Sequence, residues 1–251
     1  MKIIESVHNP QVKQWKKLHM KKERDKTGTF LIEGYHLVEE ALKNKEQIKQ
    51  LIISEEVDLP ATWNTDNILI TVVSKEVMAA ISDTETPQGV AAKCKQLGSS
   101  EINDDHGMFL FIDAVQDPGN LGTIIRTADA AGIDAIIVGE GSADVYNSKV
   151  IRATQGALFH LPIIKGNLFE WVSRLQASQI PIYGTALENA VSYKEVKPTS
   201  SFAIIVGNEG GGMNKELLAK TSQNLYIPIF GKSESLNVAV AAGILLYYFR
   251  R

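Results

Sequence analysis

A chain of 251 residues with 44% hydrophobic and 22% charged side chains can core one large domain or two small ones. Its single cysteine, Cys94, excludes an internal disulfide, and five scattered histidines with no second thiol argue against a metal site. No apolar run is long enough to cross a bilayer and no secretory core opens the chain, so a cytoplasmic protein without membrane or metal is expected.

The net charge of −3 is unevenly spread. Residues 1–30 carry eight basic side chains against three acidic ones, a local excess of +5 that leaves −8 for the rest. Lys13, Lys16, Lys17, Lys21, Lys22 and Arg24 could together hold phosphates whatever the global sum. Val12, Trp15 and Leu18 recur at helical spacing, so the same run also reads as the solvated face of an amphipathic helix.

In chain order, a basic helix is followed by a strand at 30–33, a helix at 35–43 and strands at 48–53 and 68–73. A short helix at 75–81 and a strand at 89–93 complete a small α/β unit over residues 1–95. Residues 96–107 are polar and turn-rich and are the expected linker. From 108 to 251 the alternation continues, with strands at 108–112, 135–138, 161–164, 182–185, 202–206 and 225–227. Helices are expected at 123–131, 149–157, 168–178, 215–220 and 237–249. Continuous apolar strands separated by helices predict a parallel sheet covered on both faces, with ligands beyond the strands' carboxyl ends.

Three punctuated segments fall at those ends. In the first, Asp117-Pro-Gly-Asn-Leu-Gly reads as a tight bend before a helix whose apolar face is Ile124, Ile125, Ala128 and Ala131. Arg126 lies about 200° around that helix from Ile124, away from the sheet, where pairing with Asp129 is the bland alternative. Asn120 could simply cap the bend. The second, Val206-Gly-Asn-Glu-Gly-Gly-Gly-Met213, predicts a glycine-walled pocket whose backbone N–H groups approach a ligand, with Glu209 at its mouth. It is neither a P-loop nor a dinucleotide fingerprint, and Glu209 could merely bind the start of the next helix. The third, Ile227-Pro-Ile-Phe-Gly-Lys-Ser-Glu-Ser-Leu-Asn-Val238, places Ser235 as the expected cap of the final helix.

In order, spacing and content these three segments resemble the signature of the SpoU (TrmH-type) family of RNA ribose 2′-O-methyltransferases. One position departs: Ala239 stands where many members have serine. Looser matches at Asn9-Pro, Phe30-Leu-Ile-Glu-Gly34 and Gln88-Gly-Val-Ala-Ala92 resemble the family's amino-terminal substrate-binding domain, an L30e-like RNA-binding unit. The resemblance implies a SPOUT fold with a deep trefoil knot, bound S-adenosyl-L-methionine, an RNA substrate (ribosomal or transfer) and a homodimer. It implies a reactive site of Asn120, Arg126, Glu209, Ser235 and Asn237, with Arg126 reaching the partner protomer's cofactor. Thr185, Ala186, Gly207, Asn208, Ile227 and Leu236 would border the cofactor. The rival classes are a non-catalytic ribosome-associated RNA binder, a base methyltransferase of the same superfamily, and a nicotinamide oxidoreductase, which the absent GxGxxG disfavours.

Overall fold

The structure is a computed structural model, and it describes residues 3–97, 102 and 104–250. The chain divides into two compact units. One runs to Leu97 and also takes in Asp144–Phe159; the other holds the remainder.

In the first unit, in chain order, lie α1 (Pro10–Lys17), α2 (Lys21–Thr27), β1 (Thr29–Glu33), α3 (Tyr35–Leu42), β2 (Ile48–Ser54), β3 (Ile70–Val73), α4 (Lys75–Ile81) and β4 (Val90–Lys95). The four strands form a mixed sheet ordered β1-β4-β2-β3, with only β2 and β3 parallel. Val12, Trp15 and Leu18 are buried and join Ile52, Val77 and Ile81 in one core cluster, so the helical spacing marks a packed face.

The basic helix is two helices, and Arg24 explains the break. Its Nη1 donates to the Leu18 carbonyl at 2.8 Å and the His19 carbonyl at 2.7 Å, satisfying acceptors that the end of α1 leaves open. Its Nη2 pairs with Asp144 at 2.6 Å. Asp144 opens the segment that departs from the expected continuous domain over 108–251. Within this segment lies α6 (Ser148–Thr154). Phe30 of β1 packs on Tyr146, ring centroids 4.7 Å apart, and stacks on Phe159 at 6.3 Å. Ser148 donates to the Asp83 carboxylate, which also accepts from Arg152. The aromatic residues thus draw 144–159 into the first unit's core, a long-range choice no local pattern reveals. The expected linker over 96–107 lies partly outside the described residues, at 98–101 and 103.

The second unit contains β5 (Met108–Ile112), α5 (Pro118–Ala130), β6 (Ala135–Val138), β7 (Ile163–Lys165), α7 (Leu168–Ala177), β8 (Ile182–Thr185), β9 (Val191–Ser192), β10 (Phe202–Val206), α8 (Lys215–Leu218), β11 (Gln223–Tyr226) and α9 (Val238–Phe249). Its seven strands are all parallel, in the order β7-β6-β5-β10-β8-β11-β9. Phe109, Phe111, Ile205, Trp171 and Leu175 share one buried cluster. Each fully buried large apolar chain contributes about 1.5–3 kcal/mol. The order in which the chain adds strands reverses between β5 and β10, and a doubly wound sheet opens its ligand crevice beyond the carboxyl ends of the strands at such a point.

Candidate functional site at the carboxyl rim of the parallel sheet

Helix α5 begins five residues earlier than expected. Asp117 is its N-cap, accepting from the Asn120 N–H at 2.8 Å, and Pro118 occupies the first turn, where a missing N–H costs nothing. The Pro-Gly that reads as a bend is therefore helical, and Asn120 sits inside the first turn with its side chain free for other work. Leu121, Ile124, Ile125 and Ala128 are fully buried, as the apolar face requires. Arg126 is exposed and has no hydrogen-bond or ion-pair partner among the described residues. The alternative pairing with Asp129 is not made; that carboxylate meets His160 Nδ1 at 2.9 Å.

The segment after β10 folds back on itself. Asn208 and Gly212 exchange backbone hydrogen bonds of 2.9 and 3.0 Å. A Cβ on Gly207 would lie 2.4 Å from the Gly212 carbonyl carbon, so only glycine permits the close return. Asn208 Oδ1 accepts from the N–H groups of Gly210 and Gly211, and its Nδ2 donates to the Ala114 carbonyl at 2.8 Å. Those backbone donors, expected to face a ligand, are thus consumed within the loop, and Asn208 shapes the wall of the pocket. Ala114 is held at φ 55°, a left-handed conformation that costs an alanine roughly 1–2 kcal/mol and is the kind of strain found at functional sites.

Glu209 does not bind the start of the following helix; Asn214 caps α8 instead. The Glu209 carboxylate accepts from the backbone N–H groups of Gln116 and Asp117, both at 3.2 Å, at the positive end of α5. It also accepts from Asn120 Nδ2 at 3.0 Å. Asn120 Oδ1 in turn accepts from Asn237 Nδ2 at 2.9 Å. Asn237 Oδ1 accepts from the N–H groups of Ala239 and Val240, so Asn237, and not Ser235, caps α9. Residues 120, 209 and 237, far apart in sequence, therefore form one hydrogen-bonded chain. Burial raises the Glu209 pKa, but Asn120 and the backbone donors outweigh it and hold the carboxyl below its ordinary value.

Beside this chain lies a cleft of about 510 Å³, within the range of small-molecule sites. It is walled by the carboxyl ends of β8 (Thr185, Ala186), β10 (Gly207, Asn208) and β11 (Ile227), and by Ser235, Leu236 and Asn237 before α9. Glu209 reaches its lining; Asn120 and Arg126 do not. Leu187, Tyr226, Ala241 and Leu245 also line it and escaped the sequence reading. Their signal is weak: each neighbours a motif residue on the same strand end or helix face, and apolar lining carries no distinctive spelling.

The six amino-terminal basic residues separate. Lys13, Lys16, Lys17, Lys21 and Lys22 are exposed, whereas Arg24 is only 4% exposed and committed to Asp144 and two carbonyls, which removes it from any phosphate-contacting set. Among the described residues there is no group of three or more potential metal ligands, and no helix is long and apolar enough to cross a membrane.

Comparison with known proteins points to one family. Residues 107–247 match the SpoU rRNA Methylase family and residues 9–92 an MRM3-like substrate binding domain. A 23S rRNA (guanosine(2553)-2′-O)-methyltransferase of Bacillus subtilis is 52% identical over 250 residues, covering all of both chains. An AdoMet-bound rRNA methyltransferase from Sinorhizobium meliloti superposes with a TM-score of 0.90 at 34% identity, covering 99% of this chain and 97% of that one. The SpoU methyltransferase AviRb of Streptomyces viridochromogenes, solved with AdoMet, gives 0.83 at 26% identity and 97% coverage of each chain. This chain belongs to the SpoU rRNA methylase family.

Proposed function

We propose that this protein transfers a methyl group from S-adenosyl-L-methionine to a ribose 2′-oxygen of ribosomal RNA. The observation that carries the reading is the hydrogen-bonded chain Glu209–Asn120–Asn237 on the rim of a glycine-walled cleft. Three separate segments converge there, although a fold needs no such polar chain on an exposed rim.

The residues fit the cofactor. The Gly207 return keeps side chains out of the cleft, and Thr185, Ala186, Asn208, Ile227 and Leu236 supply a mixed apolar and polar wall that would hold it. When bound, the group supplies an electrophilic methyl on a sulfonium, so positioning of the acceptor dominates the chemistry. Glu209, held ionised by its donors, is a weak base and acts as the anchor that orients Asn120. Ser235 has no hydrogen-bond partner among the described residues and lines the cleft, leaving its Oγ free to meet the sugar hydroxyl.

Arg126 offers a fork of N–H donors and no acceptor, and serves as a clamp on the developing oxyanion or a neighbouring phosphate. It lies outside its own chain's cleft, which supports delivery to the site of a second copy. A face of α9 supports the same homodimer: the helix is apolar on every side, and Val240 and Tyr247, seven residues apart, are 51% and 57% exposed. A trefoil knot, an L30e-like first unit presenting Lys13, Lys16, Lys17, Lys21 and Lys22 to RNA, and a cytoplasmic location complete the reading. The field of those lysines would draw phosphates despite the net charge.

The test is transfer from labelled S-adenosyl-L-methionine to 23S rRNA purified from cells lacking this gene. Nuclease digestion and mass spectrometry then identify the product nucleoside. Label on a 2′-O-methylribose is expected. Label on a base, or none on any RNA, overturns the proposal.

A further inference from the structure

Phe230 is the most exposed large apolar side chain among the described residues, at 92%. It belongs to the segment between β11 and α9, whose Ile227, Ile229, Glu234, Ser235 and Leu236 line the cleft. No residue from 228 to 236 has a hydrogen-bond or ion-pair partner among the described residues. A side chain added at Gly231 would meet open space, and Lys232 follows, also exposed. One face of the segment therefore closes the cleft while its tip offers an aromatic ring and a cation to solvent. An unburied phenyl ring forgoes the stabilisation that burial brings, and this one stands in a segment whose neighbouring residues line the cleft.

The chemistry of the site names that partner. This step rests on the reading that the cleft serves a ribose 2′-oxygen. A ribose presented to a donor held in the cleft carries its base one glycosidic bond away, on the solvent side, and Ile229, the residue before Phe230, lines that cleft. Recognition of unpaired nucleotides combines base stacking on aromatic faces with cations along the backbone. We propose that Phe230 is a positioning residue that stacks on the nucleobase of the target nucleotide once that base has left its helix, with Lys232 meeting the adjoining phosphate. Stacking of this kind tolerates any base, so Phe230 sets the pose of the nucleotide and leaves its identity to other contacts.

The experiment compares Phe230→Ala, Phe230→Leu and Phe230→Tyr in the full chain. Each is assayed with labelled S-adenosyl-L-methionine and 23S rRNA from cells lacking the gene, with calorimetric titration of the cofactor and ultracentrifugation alongside. Phe230→Ala should raise the KM for RNA roughly tenfold, the size of one lost stacking contact, with kcat and cofactor affinity little changed. Phe230→Tyr should restore the KM and Phe230→Leu should not, because an aliphatic side chain of similar bulk has no π-face. An unaltered KM in Phe230→Ala, or full rescue by leucine, overturns the stacking role. A parallel loss of cofactor affinity makes the ring a cofactor cover, and a shift to monomer makes it a subunit contact; either overturns the proposal. A wild-type chain that leaves the rRNA unlabelled overturns the underlying reading instead.

Discussion

Helices α1 and α2 and the carboxyl rim of the parallel sheet both gather polar side chains, and they use them in opposite ways. On the helices six lysines stand exposed, and one arginine, Arg24, is buried with both terminal nitrogens engaged. On the rim Asn120, Glu209 and Asn237 spend their hydrogen bonds on one another and on helix starts, while Arg126 stands free. A field of unpaired charges acts over a Debye length of about 8 Å and forgives displacement. A hydrogen-bonded chain acts through contacts of 3 Å and does not. The first region suits capture of a polyanion, the second the placing of one sugar oxygen.

The largest expected effect separates the buried cation from its exposed neighbours. Arg24→Ala removes the cation from a buried ion pair with Asp144 and should cost about 3–5 kcal/mol, read as a lowered denaturation midpoint. Lys21→Ala, three residues away, should leave that midpoint within about 0.5 kcal/mol of wild type. Equal effects would erase the contrast between the two kinds of cation.

Next in size is Arg126→Ala, which should lower methyl transfer by a factor of about 100 or more while calorimetry shows cofactor affinity retained. Loss of both together would make Arg126 structural. Mixing Arg126→Ala subunits with subunits impaired at Asn120 should restore some activity if the arginine works across a dimer.

A smaller effect belongs to the lysines. Reversing Lys13, Lys16 and Lys17 to glutamate should raise the KM for RNA steeply at low salt and flatten its dependence on ionic strength, with kcat unchanged. An unchanged salt slope would return α1 to the status of a solvated face.

The smallest effect concerns pH. The folded Glu209 carboxyl lies below its ordinary value of 4.5, so its contacts contribute fully above that value and are lost only as pH falls through the lowered one. The activity ratio of wild type to Glu209→Gln should therefore stay level from pH 8 to 5. A ratio that changes within that window would give Glu209 a proton-transfer role.

Much of this was legible beforehand, for particular reasons. Continuous apolar runs such as Met108–Ile112 and Phe202–Val206 announce buried parallel strands, and both are strands in register. The positions of Asn120, Glu209 and Asn237 came from a resemblance, and nothing in their local sequence says that they touch. The errors were local competitions. Pro118-Gly119 looked like a bend, yet proline at a first turn with Asp117 as cap starts a helix. Ser235 looked like a cap, yet Asn237, two residues on, accepts the N–H groups of α9. The short strand Val191–Ser192 has too few residues to show any period.

Sequence alone determined the α/β class, the buried strands, the apolar face of α1 and the uneven charge, because each is a pattern repeated within a few residues. Tertiary structure decided the rest: that residues 144–159 join the first unit through Phe30, that Arg24 turns inward to Asp144, and that Glu209 reaches back to the start of α5. Those outcomes hinge on which side chain finds which partner across about a hundred residues, and a contact of that kind leaves no trace in the order of the amino acids.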